Sequence, residues 1–81
     1  MEKNIASQIV QSVTRAVPLL LKFPEQRFWV DYDAEADVLY ISFRRPQQAT
    51  DTEMTEEGIL LRHRGDELVG MTILDASTRS Q

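Results

Sequence analysis

The sequence predicts an α+β fold in which an N-terminal amphipathic helix packs on an antiparallel β-meander of four to five strands. Two observations carry this expectation. The spacing of apolar residues is helical up to residue 22 and changes to strict alternation from Phe28. The polar connections between the alternating runs are short, whereas parallel pairing would need crossovers of a dozen residues or more. A single domain is expected over 1–81, with the helix at about 4–22, the meander at about 28–75 and a short C-terminal tail at 76–81.

The helical segment places Ile5, Ile9, Val10, Val13, Ala16, Val17, Leu20 and Leu21 on one broad stripe, with Lys3, Gln8, Gln11, Ser12, Thr14 and Arg15 elsewhere. Pro18 removes one backbone donor and disfavours helical geometry at Val17. A helix from about Asn4 to Val17 is therefore expected, with a kink or a separate last turn through Lys22, and Phe23-Pro24 ends the segment. The stripe is read as core packing against the sheet, with a partner-binding helix as the alternative.

In "FWVDYD", Phe28, Val30 and Tyr32 alternate with Trp29, Asp31 and Asp33; in "DVLYISF", Leu39, Ile41 and Phe43 alternate with Val38, Tyr40 and Ser42. Both are strands, joined by the polar "DAEAD". A weaker strand is expected over 49–54, after the break at Pro46. "EEGILLRHRGDELVGMTIL" reads as a hairpin with arms Ile59–His63 and Leu68–Leu74; Gly58 starts the fourth strand and Gly65 supplies the positive φ of a tight turn. With Leu39, Ile41, Phe43, Val69, Met71 and Ile73 on one face, Trp29, Val38, Tyr40, Leu60 and Leu68 remain for the other. That is more apolar surface than one helix covers, and an uncovered patch marks an interface. A homo-oligomer, most simply a symmetric dimer, is expected.

Composition narrows the functions. A chain of 81 residues buries only roughly 60% of the surface its unfolded form exposes, so its core is small. With no cysteine, disulfides, thiolate zinc sites and thiol catalysis are excluded. The net charge of −4 speaks against a nucleic-acid-binding face, which needs clustered Lys and Arg; the only basic groupings are Arg44-Arg45 and Arg62-His63-Arg64. The longest apolar run, "VPLLL" at 17–21, is far short of the ~20 residues that span a bilayer, and the N-terminus does not resemble a signal peptide. A cytoplasmic protein without a membrane or nucleic-acid role is expected.

"YDAEADVLYISF" followed by "GILLRHRGDELVGMTILDAS" resembles the prokaryotic family catalogued as domain of unknown function 2283. The resemblance covers about residues 28–77 and rests on two blocks in the right order: Tyr32, Asp33, Ala36, Asp37, Val38, Leu39, Tyr40 and Ile41, then Gly58, Gly70, Ile73, Leu74, Asp75, Ala76 and Ser77. The chain departs from the pattern at Met71-Thr72, where an acid before the final Ile is common, and at Arg62-His63-Arg64, where the family is often acidic. The resemblance implies a small α+β domain of antiparallel strands, with no established activity. For some members it implies an antitoxin-like role beside a small ribonuclease-type toxin.

The chemistry-bearing feature is the acid ladder Asp31, Asp33, Glu35 and Asp37. Asp-x-Asp-x-Glu-x-Asp reproduces the alternation of a calcium loop, so these four are the metal-ligand candidates. The rest of such a loop is missing: Ala36 stands where the sixth-position Gly belongs and Ser42 where the bidentate Glu belongs. The competing reading is a hairpin corner. Asp33 and Asp37 would bond backbone amides across the bend, as Asx-type turns do, and Tyr32 and Tyr40 would flank it by packing.

No catalytic residue is assigned. His63, between two arginines at a strand end, reads as solvated, and no nucleophile elbow or phosphate loop occurs. The "RGD" at 64–66 is turn chemistry. The leading expectation is a non-enzymatic, cofactor-free oligomeric module that binds a protein partner through its sheet or the acidic "DTEMTEE" at 51–57. The alternative is a carboxylate-based metal-binding or hydrolytic protein built on Asp31, Asp33, Glu35 and Asp37.

Overall fold

In the computed structural model, which describes residues 2–79 and side chains from Ile5 onward, the alternating runs become five strands. They are β1 (Trp29–Asp33), β2 (Val38–Ser42), β3 (Asp51–Met54), β4 (Ile59–Arg64) and β5 (Glu67–Leu74), preceded by α1 (Glu2–Leu20) and followed by a 3-10 turn, η1 (Ala76–Thr78). Part of the expected tail is thus ordered structure; its last two residues, Ser80 and Gln81, lie outside the described residues.

The pairing is antiparallel throughout. The strand order is not the simple meander: the sheet runs β1-β2-β5-β4-β3. β3, β4 and β5 do form a meander, but the chain crosses from β2 to the far edge before starting it, a Greek-key arrangement. The reason lies in the strands themselves. A sequential order would leave β5, the longest and among the most apolar, as an edge with a row of unpaired backbone groups, and would bury the charged "DTEM" in the middle. The observed order centres β5 and puts the acid-bearing β1 and β3 at the edges, where charge deters further strand pairing.

Register defines two faces. On one, Tyr32, Leu39, Ile73 and Ile59 form a cross-strand row beside a second row of Val30, Ile41, Met71 and Leu61. On the other lies the row Asp31, Tyr40, Thr72 and Leu60. Pairing steps from Arg62 opposite Gly70 to His63 opposite Leu68, which makes Val69 the extra residue of a β-bulge.

α1, expected on the sheet, forms no extensive interface with a strand among the described residues. Ile5, Ile9, Val10 and Val13 remain 54–63% exposed. The radius of gyration is 14.5 Å and the longest extent 48 Å, against about 12 Å for the radius of a compact chain of this length. The helix also continues through Pro18, with the Leu21 N–H donating to the Val17 carbonyl at 3.0 Å.

What joins helix and sheet is an aromatic corner. The ring of Phe23 meets those of Phe28 and Phe43 edge to face at 5.1 and 5.5 Å, and Phe28 meets Phe43 at 6.5 Å. Phe43 and Val69, with Ile41, are the buried hydrophobic residues. The Phe43 N–H donates to the Val69 carbonyl at 2.9 Å, so the bulge and the corner share one small core.

Candidate functional site

The acid ladder spans the end of β1 and the loop to β2, and local geometry sends its members in different directions. Asp33 closes β1: its Oδ1 accepts from the Glu35 N–H at 3.1 Å and the Ala36 N–H at 3.3 Å, the Asx turn expected from sequence. Glu35 stands at the exposed loop tip, and Asp31 lies on the opposite face from Tyr32, across from Tyr40.

Asp37 behaves differently from the expectation that it bonds amides across the bend. Its backbone is left-handed, with φ 57°. Its carboxylate is turned to the far end of the chain: Oδ1 accepts from the Tyr32 hydroxyl at 2.7 Å and the Ser77 N–H at 2.9 Å, and Oδ2 from the Ser77 hydroxyl at 2.8 Å. The Asp37 carbonyl also accepts from the Ala76 N–H at 3.0 Å. Asp37 therefore clasps η1 to the β1–β2 corner. Tyr32 supports it by a hydrogen bond rather than by the flanking contact expected, and Tyr40 lies on the other face of the sheet.

The four carboxylates do not converge. Among the described residues no three Asp, Glu or His side chains are placed to hold a metal ion together. The electrostatics of Asp37 fit a fastener. The bonds from the Tyr32 hydroxyl, then from the Ser77 hydroxyl and N–H, hold its carboxyl below the ordinary 3.8 against the opposing effect of burial. Tyr32 is pushed above the ordinary 10.0, first by its bond to Asp37, then by burial and by the charges of Asp37 and Asp33.

Two further groupings were not foreseen. Gln47, in the crossover, donates to the Ser42 hydroxyl at 2.8 Å and accepts from Arg62 Nε at 3.2 Å, while Arg62 Nη1 donates to the Thr52 hydroxyl at 3.0 Å. This pins the crossover over the face that carries Gly70. A Cβ at Gly70 would collide with Gln47 and stand 2.9 Å from the Ile41 carbonyl oxygen, so the close approach requires glycine. Arg44 bridges Glu25, at 3.2 Å, and Glu67, and the Glu25 contact is the first cause holding its guanidinium above its ordinary value. His63 sits half-buried with Nε2 3.7 Å from a Glu53 carboxylate oxygen. Ser77 gave no sign of its role in pattern or spacing; only the "DAS" of the family resemblance contained it.

These features define a small α+β protein: a five-stranded antiparallel sheet closed at one corner by a hydrogen-bonded clasp, with a helix standing off it. The chain belongs to the family described as Protein of unknown function (DUF2283), whose sequence pattern matches residues 29–77. That span takes in all five strands and Ser77 and leaves out α1. No curated protein and no solved structure matches the chain. Among the described residues no helix is long and apolar enough to cross a membrane.

Proposed function

We propose that the protein is a non-enzymatic interaction module that works as a homo-oligomer, most simply a dimer, and in that form holds a protein partner. The observation that supports this is apolar surface without a cover. Val13, Val10 and Ile9 on α1, and Val30 and Tyr32 on the sheet, are all more than half exposed. The acid-bearing edge strands and a net charge of −4 suit a basic partner, in keeping with an antitoxin-like role beside a small ribonuclease-type toxin.

Light scattering at micromolar concentration, followed by native pull-down from the host with and without a chelator, tests the reading. The expected mass is twice 9.3 kDa, with a small basic protein retained in both conditions. A mass of 9.3 kDa removes the oligomer; recovery of the protein alone removes the partner.

A further inference from the structure

The accessible surface of the chain is 6521 Å². A compact monomer of 9.3 kDa would expose roughly 5,000 Å². The excess of about 1,500 Å² is more than the ~800 Å² each partner contributes to a standard stable interface. Its source is specific. A helix whose apolar residues, Leu19 apart, fall within an arc of about 160° leaves the sheet at the Phe23 corner. Beside that corner lies the face of the two apolar rows, with Leu39, Ile59, Leu61, Met71 and Ile73 only half-buried. The crossover and Gln47 lie over the opposite face, where Ser42, Gly70 and Arg62 are in register, so the apolar face is the open one.

We infer that a second copy of this chain covers that face with its helix: α1 of each protomer lies on the Leu39, Ile59, Leu61 and Met71 face of the other, in a reciprocal two-fold exchange. The inference rests on the dimer proposed above and specifies its geometry. The two surfaces are complementary in kind: the helical arc is free of charge from Ile5 to Leu21, and the polar residues in register with the apolar rows, Asp51 and Glu53 on β3 and His63 at the end of β4 beside it, fall to one side of the sheet. Their sizes also agree. A helix of 19 residues is about 28 Å long and five strands span about 19 Å between outer axes, so one helix crosses the whole sheet. A two-fold operation makes both contacts at once, because each chain carries one stripe and one face.

The test uses the full chain. An isotope-labelled protein with Val13→p-benzoylphenylalanine is mixed with unlabelled natural chain, irradiated and mapped by mass spectrometry. Cross-links from the labelled helix to unlabelled β2, β4 or β5 peptides are expected. A dimer whose cross-links run from helix to helix, or only within one chain, overturns the exchange and leaves the dimer standing; a monomeric mass before irradiation overturns both. Val13→Asp is the independent check. Val13 is 54% exposed in the single chain, so the sheet should fold regardless. In the exchanged dimer Val13→Asp should raise the dissociation constant about 100-fold, by burying an unpaired carboxylate, and an unchanged dimer contradicts the exchange.

Discussion

α1 and η1 flank the same sheet and are held by opposite means. η1 buries no residue and is fixed by hydrogen bonds: Ser77 donates its N–H and its hydroxyl to the Asp37 carboxylate, and the Ala76 N–H donates to the Asp37 carbonyl. α1 carries a largely exposed apolar stripe and, among the described residues, adjoins the sheet at the Phe23 corner. Directional polar contacts of this kind fix position at modest net stabilisation, whereas apolar area is non-directional and stabilises only when covered. The single chain therefore draws its stability from the sheet and the corner, and the helix stripe contributes little until another surface meets it.

The sharpest way to break this comparison is to remove the link between the two regions. Phe43 is 2% exposed and touches both Phe23 and Phe28. Phe43→Ala should cost about 3–5 kcal/mol, as large-to-small changes at buried aromatics do. Against a total of about 4–12 kcal/mol for a chain of this length, that is about a quarter of the stability or more, and the urea midpoint should fall accordingly. A loss under about 1 kcal/mol would mean that the corner is not the core and that the helix is held by something else.

The clasp should give a smaller, pH-dependent effect. Asp37→Asn replaces one acceptor oxygen with a donor facing Tyr32 or Ser77, and should lower Tm by about 5 °C at neutral pH. Because the folded carboxyl of Asp37 lies below its ordinary 3.8, its stabilisation is present above that value and is lost as pH falls through the lower folded value. Tyr32 has the opposite sign. Its folded value lies above 10.0, so its stabilisation is complete below 10.0 and is lost as pH rises through the higher folded value. Tm measured against pH should therefore show an acid limb that Asp37→Asn flattens and an alkaline limb that Tyr32→Phe flattens. If both variants keep the limbs of the natural chain, η1 is held without the clasp.

Local interactions were legible in the sequence and long-range ones were not. The five strands followed from period-two alternation, and the Asx turn at Asp33 from its own residue type, because both depend on neighbours two or three positions away. The Asp37–Ser77 bonds join residues 40 apart, and nothing in either neighbourhood specifies the other. The same holds for β2 beside β5: short connections favour sequential pairing, and only the cost of exposing β5 at an edge argues for the crossover. For α1 the periodicity gave the stripe correctly and its occupant wrongly, since amphipathicity says that a face will be covered but not by which surface.

The smallest effect should come from the part of the ladder that attracted most suspicion. Four acids at every second position suggest converging oxygens only if the chain curls; here β1 is straight through Asp31, the Asx turn fixes Asp33, and the left-handed backbone at Asp37 aims its carboxylate at η1. Asp31 and Glu35 are left exposed and separate, so Asp31→Asn with Glu35→Gln should move Tm by no more than about 2 °C, as surface changes away from caps and cores do. Calorimetric titration with calcium or magnesium should give no binding heat for the natural chain or for this variant. Heat in the natural chain that the double substitution abolishes would mean that the corner rearranges around an ion, and an ion that draws the Asp37 oxygens away from Ser77 should then weaken the clasp and flatten the acid limb.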